Sequence, residues 1–199
     1  MSLSIPNCYL ILILNLLLIP LQKCWGLLMR KCKPFKQTKP ILCLYNAFVL
    51  SKLNFACVVW SPRQRTFADR LEGLQDRFVK YISLKQQFVI PNDNVTLARA
   101  HFHLMTLADR RVLSDILFLF KTLNSIIQSP EVLAEIGFNV PQRSLRANDF
   151  FYIPFKNTFS AQSSPICRIM KHGNMFTDID YFHMTLNEVK KNIKNKFVP

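Results

Sequence analysis

The fold is decided by residues 56–82, which read ACVVWSPRQRTFADRLEGLQDRFVKYI. A short apolar run meets Trp60-Ser61-Pro62, and a helical pattern begins directly after it. Proline is tolerated in the first turn of a helix, and the spacing of the apolar residues predicts a helix from about Arg63 to Leu84. Its apolar stripe consists of Phe67, Leu71, Leu74, Phe78, Tyr81 and Ile82.

One flank of this predicted helix is basic. Successive residues of an α-helix turn by about 100°, so Arg70 and Arg77 lie on the same flank, and Asp69, Glu72 and Asp76 are expected to project from the opposite, outer side. Such a flank could contact successive phosphates of a nucleic acid without reading its sequence; a solvated helix edge is the alternative. We call "basic edge" the candidate nucleic-acid-binding residues Arg63, Arg70, Arg77, Lys80 and Lys85.

Gly73 lies inside the same predicted helix. Glycine at such a position costs roughly 1 kcal/mol of helix stability relative to alanine. Because it has no side chain, it leaves space beside the basic edge for another molecule to approach closely.

The charge balance points to a polyanionic partner. The chain has 199 residues, half of them apolar, with 26 Lys and Arg against 12 Asp and Glu. No acidic residue precedes Asp69. A field of this sign favours nucleic acid or an anionic membrane surface, and a basic protein without such a partner is the alternative.

Other segments predict further helices, so the expected fold class is mainly α. A short amphipathic helix ends near Pro34, and a second helix runs from about Ile41 to Val58. Residues 86–96 form a polar loop. Only 4 glycines occur, which argues against an all-β chain with many tight turns.

The carboxy-terminal half predicts two helices separated by an irregular stretch. Thr106 and Asp109 fit a capping box, and the helix that they open is expected to bury apolar residues as far as Ile126 and to end before Pro130. From Val140 to Pro165 no period is apparent. A last helix begins at about Thr185 and ends in a basic tail.

Residues 8–21, CYLILILNLLLIPL, form a hydrophobic segment that is short for a membrane span. Its length suits the core of a signal peptide, but no Lys or Arg precedes it and Lys23 follows closely. An export or anchor segment, a buried helix or strand, and a drifted start of the reading frame all stay open.

The residues give no catalytic centre and no metal site. His101 and His103 point apart on a helix and have no acidic or thiol partners nearby in the sequence. Asp178 and Asp180 form an isolated acidic pair, whereas a two-metal centre needs carboxylates from separated strands. The six cysteines are widely spaced without a CxxC pair, which favours free thiols in a reducing, intracellular compartment.

The centre of the chain combines several short motifs in a fixed order: Leu44-Tyr45, Val49, Val59-Trp60-Ser61-Pro62, and then Glu72, Gln75 and Phe78. Together they resemble the region after the palm in reverse transcriptases of non-LTR retrotransposons, the jockey-like LINE elements. KCWGLLMRKCKPF is similar to the family segment between palm and thumb, LADRR at 107–111 to its LEDRR block, and FNVPQRSLR and SPICRI to its carboxy-terminal blocks. The similarity extends from about Lys23 to the end.

The resemblance implies a fragment of an RNA-directed DNA polymerase, whose thumb helices grip the template–primer duplex. The expected partner is an RNA–DNA hybrid or another duplex, bound without sequence preference in the nucleus or cytoplasm, and a membrane partner is not expected. The family palm uses Mg, but its paired aspartates are absent here, so we expect no cofactor and no polymerase activity. Trp60, Ser61, Pro62, Glu72, Gln75 and Phe78 are then structural motif residues.

The predicted organisation is a divergent hydrophobic segment (1–22), a helical thumb-like bundle (23–90), and a second helical unit with an irregular, basic carboxy-terminal tail (91–199). Two alternatives to a truncated reverse transcriptase stay open. One is a small secreted or membrane-anchored protein that uses residues 8–21 as its signal or anchor. The other is a pseudogene product with no stable function and no partner.

Overall fold

The computed structural model describes residues 7–35, 37–62, 64–88, 94–140 and 149–197. Among these, the side chains of residues 7–15, 17, 18, 159 and 160 are outside the description. The chain is mainly α-helical, which confirms the predicted fold class. It divides into two compact units, an amino-terminal unit, Cys8–Arg110, and a carboxy-terminal unit, Arg111–Phe197.

The amino-terminal unit is built from helices and one π-helical turn. In chain order these are α1 (Asn7–Lys31), α2 (Thr38–Tyr45), the π-helical turn Asn46–Leu50, α3 (Ser51–Asn54), α4 (Cys57–Trp60), α5 (Arg65–Lys85), α6 (Val95–His101) and the first residues of α7 (Leu107–Leu123).

Helix α1 joins two segments that the sequence treats separately. The hydrophobic segment 8–21 and the expected short helix before Pro34 form one helix, in which Leu21 and Leu28 are both buried. Seven residues apart, they lie on the same face, so one buried stripe continues through the junction. Most side chains of 8–21 lie outside the described residues; among the residues that are described, no helix is long and apolar enough to cross a membrane.

The predicted helix from Ile41 to Val58 is interrupted before its end. Ala56 adopts the left-handed conformation with φ of 49°, between α3 and α4. The buried Trp60 closes this break, because its indole Nε1–H donates to the Phe55 carbonyl at 2.5 Å. Ser61 is buried and non-helical directly after α4. Trp60-Ser61-Pro62 is therefore the end of a tight connection that runs from α3 through α4 into α5.

The amino-terminal unit extends to Arg110, beyond the boundary near residue 90 that the sequence predicts. Helix α6, which the sequence analysis places partly in a loop, packs against α5. The Arg99 guanidinium of α6 lies within hydrogen-bonding distance of the Asp76 carboxylate and 3.4 Å from that of Glu72. These contacts attach residues 95–110 to α5.

The carboxy-terminal unit contains most of α7 and the remaining elements. They are α8 (Pro130–Glu135), β1 (Gly137–Phe138), β2 (Phe151–Tyr152), α9 (Phe159–Gln162), α10 (Pro165–Met175) and α11 (Leu186–Phe197). Strands β1 and β2 pair antiparallel, with Phe138 opposite Phe151.

The capping box predicted at Thr106 and Asp109 is confirmed, and a second capping interaction occurs at Thr185. The Asp109 backbone N–H donates to the Thr106 hydroxyl at 3.0 Å, and that hydroxyl donates to the Asp109 carboxylate at 2.6 Å. At the start of α11, the Glu188 carboxylate accepts the backbone N–H and the hydroxyl of Thr185 at 2.8 and 2.9 Å. The first of these hydrogen bonds is the main reason that the pKa of Glu188 is lowered.

The predicted extent of α7 is wrong at its carboxy end. The helix ends at Leu123 rather than near Pro130, and Ile126 is exposed rather than buried. The reason is a left-handed residue, Ser125, with φ of 56°. This turn lets the Ile126 backbone N–H donate back to the Lys121 carbonyl at 2.9 Å, which satisfies a carbonyl at the helix end.

A buried ion cluster joins α7 to α10 within the carboxy-terminal unit. The fully buried Asp115 carboxylate accepts hydrogen bonds from the Arg168 guanidinium at 2.9 and 3.3 Å. Its Oδ2 also lies 2.9 Å from Nδ1 of His172. A buried carboxylate requires such partners, because an unpaired buried charge is strongly destabilising.

Candidate nucleic-acid interface

Helix α5 presents a buried side and an exposed basic edge, and the motif residues lie on the buried side. Phe78 is fully buried; its ring stacks on Tyr45 with centroids 3.8 Å apart and meets Trp25 edge-on at 5.8 Å. Burial raises the pKa of the Tyr45 hydroxyl. Phe78 is thus the centre of the contact between α5, α2 and α1.

The two polar motif residues join α5 to the chain that follows it. The Gln75 side-chain amide is fully buried and donates to the Met105 carbonyl at 2.8 Å. The Glu72 carboxylate accepts the Ala108 backbone N–H at 2.8 Å. This N–H lies in the first turn of α7, where a helix leaves donors unsatisfied and favours negative charge.

The expected outward direction of the acidic residues is correct for Asp69 and wrong for Glu72 and Asp76. Asp69 is exposed and lies 3.9 Å from Arg65, one turn earlier in α5. Glu72 and Asp76 are partly buried against α6, where both meet Arg99. Two like charges four residues apart repel each other on a free helix, and a shared arginine removes that cost.

Three residues of the basic edge are exposed on α5. They are Arg70, Arg77 and Lys80. The Arg70 guanidinium lies 5.8 Å from the centroid of the Phe67 ring, within cation–π range. A Cβ atom added at Gly73 would meet no atom within 4 Å, so the space beside these residues is open. Arg63 lies outside the described residues.

Lys85, the last residue of the basic edge, makes intramolecular contacts. Its ammonium group donates to the carbonyls of Cys32, Lys33 and Phe35 at 3.1, 2.6 and 2.9 Å. These carbonyls follow the carboxy end of α1, where a cation is favourable. An ammonium group has three donors, and all three are used here, so we leave Lys85 out of the interface that we propose.

Within the described ranges, no group of three or more His, Cys, Asp or Glu side chains is arranged to hold a metal ion. Asp178 pairs with Lys196 at 2.5 Å, and this hydrogen bond lowers the pKa of Asp178. Asp180 accepts the backbone N–H groups of Phe182 and His183. Both aspartates therefore stabilise local structure.

The sequence analysis missed Arg99 and the capping role of Lys85. A signal for Arg99 was present, since Glu72 and Asp76 lie one helical turn apart and need a common cation. Lys85 gave no such signal, because its three acceptors are backbone carbonyls about fifty residues earlier in the chain.

Comparison with known proteins gives no relative. No protein-family model matches the chain, no curated protein matches it, and no solved structure matches its fold. The resemblance to non-LTR reverse transcriptases stays a prediction.

Proposed function

We propose that the amino-terminal unit binds duplex nucleic acid through Arg70, Arg77 and Lys80 of α5. The duplex suggested by the resemblance is an RNA–DNA hybrid, and the unit would then correspond to the thumb of a non-LTR reverse transcriptase acting in the nucleus or cytoplasm. The observation that supports the proposal is the exposure of these three cations on one edge of a helix whose other side is buried.

The spacing of the two arginines suits a duplex backbone. Seven residues of α-helix rise about 10 Å, whereas each strand of B-DNA carries one charge per about 3.4 Å of helix axis, so the two guanidinium groups are far enough apart to reach different phosphates. Arginine is well suited to the contact, because its planar guanidinium donates two parallel hydrogen bonds to a phosphate. Contacts of this kind fix position without reading bases.

The rigidity of α5 supports the same function. Phe78, Gln75 and Glu72 attach the helix to α2, to the segment before α7 and to α7 itself. A fixed helix presents its cations without an ordering cost at the moment of binding, which favours affinity.

The test measures binding of the full chain to a labelled RNA–DNA hybrid over a series of salt concentrations. Removing two phosphate contacts in Arg70→Gln/Arg77→Gln should lower the slope of log K against log salt by about two. The matched control, Lys33→Gln/Lys39→Gln, removes the same charge from two exposed residues outside α5 and should change the slope by less than about one. Equal changes in the two variants, or no binding by the unaltered chain, would overturn the proposal.

A further inference from the structure

Three phenylalanine rings form an exposed cluster in the carboxy-terminal unit. Phe138, Phe150 and Phe182 are 43%, 41% and 56% exposed. Their centroids lie 5.6 Å apart for Phe138 and Phe150, 6.4 Å for Phe138 and Phe182, and 6.3 Å for Phe150 and Phe182. We call these three rings the aromatic surface.

A buried second layer supports the aromatic surface. Phe151 and Tyr181 are almost fully buried and lie 4.9 and 5.8 Å from the Phe150 ring. Phe151 packs so closely on Gly173 that an added Cβ atom would come within 2.7 Å of its ring. The rings above this layer are therefore held in place.

Hydrogen bonds fix the backbone that positions the rings. The Asn174 side chain accepts the Phe151 N–H at 2.8 Å and donates to its carbonyl at 2.9 Å. The Asp180 carboxylate accepts the Phe182 N–H at 3.0 Å. Exposed rings that are preorganised in this way lose little conformational freedom when a ligand stacks on them.

A cavity of about 530 Å³ adjoins the aromatic surface, and Phe150 lines both. This volume lies in the range of small-molecule sites. Asn139, Asp149 and Thr177 are among the residues that line it. An amide, a carboxylate and a hydroxyl include the donors and acceptors that can hydrogen-bond to the polar edge of a nucleobase.

Cations of helix α11 lie near this cavity in a chain whose net charge is +14. Helix α11 has four lysines and one glutamate. One of these lysines, Lys196, pairs with Asp178 and lies 5.2 Å from the centroid of Phe176, which also lines the cavity. Rings for stacking and neighbouring cations for a phosphate backbone are the two features by which proteins bind single-stranded nucleic acid.

We propose that the aromatic surface of Phe138, Phe150 and Phe182 binds unpaired bases of single-stranded nucleic acid, with one base entering the adjoining cavity. This site goes beyond the duplex contact proposed for α5, because it lies in the other unit and reads a different form of nucleic acid. Stacking explains why rings rather than aliphatic side chains form the exposed layer, since every base has a face that can stack on an aromatic ring.

The experiment compares binding of the full chain to a labelled oligothymidylate and to an abasic strand of equal length. Phe138→Leu/Phe182→Leu keeps the apolar character but removes two stacking rings, and should weaken oligothymidylate binding about tenfold or more. Phe155→Leu is the matched control, since Phe155 is 86% exposed and outside the aromatic surface. The abasic strand should bind weakly to all three proteins. RNA–DNA hybrid binding and its salt slope should stay unchanged, which separates this test from that of α5.

Phe182→Trp gives a second, direct readout. Oligothymidylate should quench the new indole emission, and the abasic strand should not; the unaltered chain corrects for Trp25 and Trp60. Equal affinity for the two strands, an unaffected double variant, or absence of quenching would overturn the proposal. It would also be overturned if sedimentation showed that the double variant only dissociates a dimer of this chain, because the rings would then be an interface between copies.

Discussion

The buried side and the basic edge of α5 differ in what they interact with. On the buried side, Glu72, Gln75 and Phe78 all have partners from other helices or from the segment before α7. On the basic edge, Arg70 and Arg77 are exposed. The residues that make the motif recognisable are thus the ones that hold the fold. A motif of this kind informs about architecture, and ligand binding must be argued from the other side of the helix.

Replacing Phe78, the central ring on the buried side, should have the largest effect on stability. We expect Phe78→Ala to lower the free energy of unfolding by about 3–5 kcal/mol, because it leaves a cavity between α1, α2 and α5. Arg77→Ala, on the exposed edge of the same helix, should change it by less than about 0.5 kcal/mol. Urea denaturation followed by circular dichroism measures both. Similar losses in the two variants would show that the buried side and the basic edge do not have separate roles.

The two lysines at the end of the basic edge should separate stability from binding. Lys85→Met removes three hydrogen bonds to the end of α1, and we expect a loss of about 2 kcal/mol in the free energy of unfolding. Hybrid binding by the folded variant should be unchanged. Lys80→Met, at an exposed lysine, should change the free energy of unfolding by less than about 1 kcal/mol, the usual limit for a surface ion pair, and should give weaker, less salt-dependent binding. If Lys85→Met binds the hybrid more weakly under conditions in which the variant is fully folded, Lys85 belongs to the interface.

The helices were predictable where local signals act alone. The stripe of α5 and the capping pair at Thr106 place the starts of α5 and α7 within two residues, because periodicity and capping depend on residues a few positions apart. The left-handed residues Ala56 and Ser125 were not predictable. Neither is a glycine, and each adopts its conformation because hydrogen bonds at a helix end favour it.

The sequence predicted which side of α5 carries the candidate interface, but not all of the residues that belong to it. Helical geometry puts Arg70 and Arg77 on one flank, and the structure describes both as exposed. Periodicity could not reveal that Lys85 turns toward the carbonyls after α1, since that contact depends on how two helices pack. The aromatic surface was missed for the same reason, because its rings come from three separate segments of the chain.

Gly73 gives the smallest expected effect and the sharpest test of the open space on the basic edge. Gly73 lies three residues after Arg70 and four before Arg77, so all three share a face. An added Cβ atom meets nothing within 4 Å, and we expect Gly73→Ala to raise the free energy of unfolding by about 1 kcal/mol. Hybrid binding should be unchanged, because one methyl group leaves most of the space open.

Gly73→Leu then tests whether the basic edge contacts a duplex or is only a solvated helix edge. Leucine is also a strong helix former, so the variant should again be more stable than the unaltered chain by urea denaturation. Its larger side chain stands between the two arginines and would hold a phosphate backbone away from them, so hybrid affinity should fall while stability rises. If Gly73→Leu is stabilised and binds the hybrid as well as Gly73→Ala does, no duplex approaches this face, and the arginines form a solvated helix edge.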